Sequence, residues 1–210
     1  MKTCILIGGN SEELDIDKKI IELSKKDNPN FLYIGLANSY ADSRYDQIKK
    51  IYKNYNCNTK YLKKSNVINN PKLVEEKIKE ADIIYIDGGD TIKLLDYVKN
   101  YEIESLLKDA YSKGTIMVGI SAGAILLSNE GLSDSYILRK EKDTYEFLQG
   151  LNFVNVKICP HYTMDKERII KAKNKEKGIV YGLPNGTALI ITNNKIKKIE
   201  SLKNKIESIE

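Results

Sequence analysis

A serine flanked by glycines, Gly119-Ile120-Ser121-Ala122-Gly123, follows the apolar run Thr115-Ile116-Met117-Val118 and opens onto Ala124-Ile125-Leu126-Leu127. The pattern is strand, sharp turn, helix. A G-x-S-x-G at such a junction forms a nucleophile elbow. The turn lifts the hydroxyl away from the backbone, and the flanking glycines remove side chains that would collide with strand and helix. The helix N-terminus sets free N–H groups and a positive dipole end beside the hydroxyl. The chemistry such a serine performs is attack on an acyl carbon.

That attack needs a base to take the serine proton and a further group to hold the base in the right tautomer. His161, in Ile158-Cys159-Pro160-His161-Tyr162, is the single histidine of the chain. It follows an apolar strand pattern, and in open parallel sheets ligands bind outside the C-terminal strand ends. Ser121 belongs to the same kind of edge. The orienting carboxylate has several candidates. Asp134, in Leu132-Ser133-Asp134-Ser135, lies between Ser121 and His161 in a loop-like stretch and is the first choice. Glu141 and Asp143 are rivals, a Ser–His dyad stays open, and each carboxylate alone also reads as a solvated loop charge.

A tetrahedral intermediate needs two hydrogen-bond donors. The Ala122 N–H, just after the serine, is one. The Gly89 N–H is the candidate for the other, because Gly88-Gly89-Asp90-Thr91 ends the strand expected beside the elbow strand and paired glycines let backbone approach a ligand. The plainer reading is a tight turn that needs glycine for its dihedrals. Gly8-Gly9-Asn10 is a similar turn, without the fuller fingerprint of a phosphate site. Cys159 shares a strand face with His161 and reads as a buried thiol. Tyr162 is placed near the site because it follows His161.

The elements that must position these groups alternate between short apolar runs and longer amphipathic stretches. Strands are predicted at Thr3–Ile7, Asn30–Gly35, Lys60–Leu62, Ile83–Ile86 and Thr115–Ile120. Helices are predicted at Leu14–Leu23 (Ser11 as N-cap, Glu12 and Glu13 in the first turn), Asp42–Tyr55, Pro71–Glu80, Thr91–Val98 and Ile103–Ser112. The later part reads as a strand at Val156–Cys159, a helix at Glu167–Lys173 and a hairpin of Thr187–Thr192 and Lys195–Ile199 around Asn193-Asn194. This βαβα order, with strands apolar on both faces, predicts an α/β three-layer sandwich around a mostly parallel sheet, in one domain spanning 1–210.

Composition narrows the function. With 210 residues the chain can bury one full core, and no apolar run approaches a membrane span. The formal net charge of +5 is spread along the chain and strongest near its end, without the clustered stripe and aromatic platforms of a nucleic-acid binder. Cys4, Cys57 and Cys159 are odd in number and far apart, which fits free thiols and not a disulfide framework. The opening strand pattern has no signal-peptide layout, so a cytoplasmic location is expected. One histidine and scattered cysteines give no zinc spacing, and no metal is expected.

Four blocks taken together resemble the peptidase E (aspartyl dipeptidase) and cyanophycinase family of serine peptidases. Gly88-Gly89-Asp90-Thr91-Ile92-Lys93-Leu94-Leu95 is similar to that family's GGNT-x-x-LL segment, and Gly119–Ala124 to its G-x-S-A-G-A elbow. Pro160-His161-Tyr162 matches its catalytic-histidine segment, and Leu183-Pro184-Asn185-Gly186-Thr187-Ala188-Leu189 resembles its late LPEGTAL segment. The blocks occur in family order. The resemblance implies a fold like class I glutamine amidotransferase domains and a Ser–His–Asp/Glu set without metal or organic cofactor. It also implies hydrolysis of short peptides, often next to Asp. On it, Gly88, Asp90, Tyr162 and Arg168 become candidates for binding substrate. Asp90 stands where the family usually has Asn, and Asp165 falls near the arginine with which peptidase E grips a substrate aspartate, a role left to Arg168. The expected partner is a short peptide, with a homodimer left open. An inactive peptide-binding protein on the same scaffold, or an esterase or amidase, are the alternatives.

Overall fold

The computed structural model describes residues 1–10, 16–174 and 178–209. The predicted N-cap Ser11, the first-turn Glu12 and Glu13, and Leu14 lie outside the described residues. In chain order the first half holds β1 (Thr3–Ile7), α1 (Ile16–Ser24), β2 (Asn30–Ile34), α2 (Ala41–Lys53), β3 (Asn58–Leu62), α3 (Lys64–Asn69), α4 (Pro71–Glu80) and β4 (Ile83–Ile86). Then come α5 (Thr91–Asn100), α6 (Ile103–Lys113), β5 (Ile116–Ile120), α7 (Ala122–Leu127), β6 (Glu130–Ser133), α8 (Ser135–Leu138) and β7 (Glu146–Gln149). The chain continues through β8 (Lys157–Pro160), α9 (Lys166–Lys173), β9 (Val180–Leu183), β10 (Ala188–Thr192), β11 (Lys195–Ile199) and β12 (Glu207–Ile209).

The larger sheet has the order β11-β10-β1-β5-β4-β2-β3. Its five strands from β1 to β3 are parallel, and β10 and β11 add an antiparallel margin. Side chains alternate between faces along each strand, so every central strand feeds two cores. Cys4, Leu6, Leu32, Ile34, Ile84, Ile86 and Met117 pack with α4, α5, α6 and α7. Ile5, Ile7, Phe31, Tyr33, Ile83, Tyr85 and Val118 pack with Ile16 and Ile20 of α1 and Ile48 and Tyr52 of α2. Helices on both faces of a parallel-rich sheet make the α/β sandwich that the continuous apolar strands imply.

Local chemistry sets the helix boundaries. Asn70 accepts from the Leu73 N–H ahead of Pro71, so α4 starts with a cap and a proline. Gly114 closes α6 in the left-handed region at φ 103°. Asn193 and Asn194, at φ 47° and 67°, make the two-residue β10–β11 turn that right-twisted strands favour.

The second half of the chain holds strands that the sequence pattern does not mark. A second sheet, β12-β9-β8-β6-β7, packs its own small core of Leu132, Cys159, Tyr162, Ala172, Val180 and Ile209. Only β8 of that sheet is among the predicted strands. The others are three or four residues long, and Glu130-Gly131-Leu132-Ser133 carries too little apolar signal to stand out.

Candidate active site

Ser121 leaves β5 at φ 54° and ψ −115°, a conformation that L residues rarely adopt, and its N–H donates to the Ile7 carbonyl at the end of β1. The glycines on either side permit this. A Cβ on Gly119 would lie 2.3 Å from the Gly123 carbonyl oxygen, and one on Gly123 would lie 2.1 Å from that of Ile86. The elbow is therefore clamped between β5, α7 and β4, with the hydroxyl at the C-terminal edge of the sheet.

His161 reaches that edge from the second sheet. It follows β8, its N–H donates to the Gly8 carbonyl, and its own backbone has a φ of 53°. Its Nε2 lies 2.8 Å from Ser121 Oγ, a hydrogen bond joining residues 40 positions apart. Its Nδ1 lies 2.6 Å from Oδ1 of Asn185, in the turn between β9 and β10. Burial of the ring is the first cause of a pKa below the ordinary imidazole value. The Asn185 hydrogen bond opposes that shift, the Arg168 charge adds to it, and the Asp134 charge opposes it. A depressed pKa leaves the imidazole neutral at pH 7, the form that accepts a proton.

Gly88 and Gly89 flank the serine on the other side. A Cβ on Gly88 would lie 3.2 Å from Ser121 Cβ. Gly89 has φ 116°, and a Cβ there would lie 2.5 Å from the Ala37 carbonyl oxygen, so only glycine fits. Buried Asp87 holds this turn from behind, accepting from Tyr33 Oη and Asn38 Nδ2, each at 2.6 Å. Among the described residues, the N–H groups of Gly89 and Ala122 have no protein acceptor.

The carboxylate expected at the second ring nitrogen is elsewhere. Asp134 Oδ2 accepts from Arg168 Nη2 at 2.9 Å, and Glu141 pairs with Arg139 at 3.1 Å. Asn185 occupies the place assigned to Asp134. The sequence did hold a signal for it: the LPEGTAL pattern carries Glu where this chain has Asn185. The signal is an amide beyond His161, not a carboxylate between Ser121 and His161.

Two further expectations are corrected. Arg168 is 4% exposed and internally engaged: Nη1 donates to Pro160 O at 3.1 Å, Nη2 meets Asp134, and its guanidinium stacks 4.5 Å from the Tyr145 ring centre. It braces the residue before His161 and has no free face for a substrate carboxylate. Tyr162 points into the second sheet, its ring against Gly182 and its hydroxyl donating to Glu207 at 2.5 Å. Asp90 caps α5, accepting from the N–H groups of Ile92 and Lys93, with its other oxygen 3.8 Å from Arg139. Cys159 is buried, and burial pushes its thiol up to about 12, so it is inert.

Asp134→Ala tests the revised assignment. It strips a partner from a buried guanidinium, but Asp165 stays 3.6 Å from Arg168 Nε and Asp134 is itself partly exposed. The expected loss is about 1–2 kcal/mol, below the range for a fully buried pair. Calorimetry should show melting lowered by roughly 2–8 °C, with hydrolysis reduced far less than by changes at Ser121 or His161.

Comparison with known proteins gives consistent results. The chain is 28% identical over 174 residues to "Uncharacterized peptidase YgaJ" of Bacillus subtilis, covering 80% of this chain and 72% of that one. It is 26% identical over 127 residues to "Peptidase E" of Haemophilus influenzae, covering 55% and 57% of the two chains. A crystal structure of a peptidase from an acI-B1 Actinobacterium superposes with a TM-score of 0.73 at 21% identity, covering 100% of this chain and 95% of that one. A putative peptidase E from Listeria monocytogenes EGD-e superposes at 0.71 and 21%, covering 95% and 98%. These two likenesses carry the fold. Among the described residues, no helix is long and apolar enough to cross a membrane. The model of peptidase family S51 matches residues 4–199, and the chain belongs to that family of serine-type peptidases.

Proposed function

We propose that this protein hydrolyses short peptides through an acyl-enzyme formed on Ser121. The observation that carries the reading is the 2.8 Å hydrogen bond from Ser121 Oγ to Nε2 of the part-buried His161, beside two N–H groups that have no protein acceptor among the described residues. Ser121 Oγ attacks the peptide carbonyl carbon while Nε2 takes the hydroxyl proton. The carbonyl oxygen becomes an oxyanion that accepts from the N–H groups of Gly89 and Ala122. The C–N bond then breaks, Nε2 returns the proton to the departing amine, and an ester remains on Ser121. Water, deprotonated by the same nitrogen, cleaves that ester and restores the serine.

With Arg168 locked against Asp134 and Pro160, a preference for an acidic residue has no support from that side chain. Asp90, spent on a helix cap and facing Arg139, adds no free charge either. Substrate choice is therefore proposed to rest on peptide length and backbone contacts at the sheet edge.

A fluorophosphonate probe tests this reading without knowledge of the natural peptide. Mass spectrometry should find one adduct, on the peptide containing Ser121, with a rate that falls as pH drops through the depressed pKa of His161. Absence of any adduct between pH 5 and 9, the range in which a histidine base deprotonates (about 6.5 unperturbed), would favour a binding protein that has lost turnover.

A further inference from the structure

We infer that Asn185 is the positioning residue of this site: an uncharged amide in the place of a triad carboxylate, which keeps the proton on Nδ1 of His161 and turns a bare Nε2 toward Ser121. The inference rests on the geometry at His161 and deepens the peptidase reading above.

Three observations carry it. First, Asn185 Oδ1 stands 2.6 Å from Nδ1. An amide oxygen only accepts, so this distance is a hydrogen bond only if Nδ1 carries the proton. The other tautomer would set two lone pairs against each other and leave an N–H facing a hydroxyl that must itself donate. Second, the backbone of the turn that carries the amide is held in place. The Gly186 N–H donates to Gly9 O at 2.9 Å, Asn204 Nδ2 donates to Asn185 O at 3.1 Å, and Thr187 Oγ1 donates to Pro184 O at 2.8 Å. Third, a Cβ on Gly9 would lie 2.0 Å from Asn185 Oδ1 and 2.7 Å from the imidazole, so the pair fills its space against bare backbone.

The absence of charge has a chemical consequence. A carboxylate at Nδ1 would favour the imidazolium and raise the pKa of the ring. An amide orients the ring without that pull. The charged groups acting on His161 are Arg168 of α9, which disfavours the imidazolium, and Asp134 beyond β6, which favours it; they face each other as an ion pair. Burial then prevails. The base stays neutral to lower pH than in a carboxylate-supported set, and it gives less stabilisation to the imidazolium formed during attack.

The chain has one histidine, so a nitrogen-15 spectrum of the untagged protein contains one imidazole. The neutral ring is expected as the Nδ1–H tautomer, with a titration midpoint below that of free imidazole side chains. In Asn185→Asp the midpoint should rise by about one unit or more, and the acid limb of fluorophosphonate labelling should rise with it. In Asn185→Ala the tautomers should mix and labelling should slow by about tenfold or more, consistent with loss of a base-orienting group. An Nε2–H tautomer in the unmodified protein overturns the inference, as does a midpoint unmoved in a folded Asn185→Asp. The tautomer is read without any turnover. A protein with the expected tautomer that never labels would contradict the peptidase reading and leave Asn185 in its role.

Discussion

Ser121→Ala is expected to lower peptide hydrolysis by about 10⁴- to 10⁶-fold, the range seen when the nucleophile of an acting Ser–His set is removed. The expectation rests on division of labour. The hydroxyl is the only group that forms the covalent bond, and donors at Gly89 and Ala122 retain modest acceleration without it. The fold should survive, because Ser121 Oγ has one partner, His161 Nε2, and no other hydrogen bond among the described residues. A companion variant separates chemistry from strain. Ser121→Gly also removes the nucleophile, but it relieves a side chain held at φ 54° and ψ −115°. Such strain is worth on the order of 1–3 kcal/mol, offset in part by the added freedom of glycine in the unfolded chain. Melting of Ser121→Gly should therefore match or exceed that of the parent while both variants are inactive. Hydrolysis of a short-peptide panel at parental rates by Ser121→Ala would end the proposal.

Gly9→Ala should be nearly as damaging, although residue 9 takes no part in proton transfer. The added methyl would lie 2.0 Å from Asn185 Oδ1 and 2.7 Å from the imidazole Nδ1 and Cε1, well inside contact distance. Something must move. Asn185 is tied through its neighbour's N–H to the carbonyl of Gly9 itself, so the turn cannot simply recede. Displacement of the ring from its place against Gly9 is expected to disturb the 2.8 Å Ser121–His161 hydrogen bond. A misplacement of about 1 Å costs roughly 10²-fold in rate. Overpacking of this kind destabilises by about 1–3 kcal/mol, which for this chain length lowers melting by roughly 2–12 °C. The two readouts should separate. If labelling of Ser121 in Gly9→Ala stays within about twofold of the parent, well short of that 10²-fold, then the methyl is accommodated and the tight packing around the imidazole is not what holds it.

The sequence revealed the parts whose signal is local. Ile83–Ile86 is a strand and Pro71–Glu80 a helix at the predicted residues, because a continuous run of isoleucine and tyrosine and a proline-led amphipathic turn leave few alternatives. The elbow is legible for the same reason: glycine at two fixed offsets from a serine is a steric requirement written into adjacent residues. What lay hidden depends on pairing across the fold. Asp134 looked like a free loop carboxylate because nothing nearby in sequence shows that Arg168, 34 positions later, will be buried against it. Tyr162 follows a histidine at the sheet edge, yet the turn after β8, with His161 at φ 53°, places its hydroxyl on Glu207. Asn185 escaped notice because an amide is an unusual choice for orienting a base, and its role becomes visible only when the β9–β10 turn folds back over β1.

The three polar groups of the site come from two different sheets: Ser121 from the end of β5, His161 from the end of β8, and Asn185 from the crossing between β9 and β10. No single stretch of chain contains a working pair. A ribosome-bound chain with its first five strands already folded would own a complete elbow and still behave as an inert alcohol. On the proposed mechanism, hydrolysis has to wait until the segment carrying His161 and Asn185 has docked against the elbow.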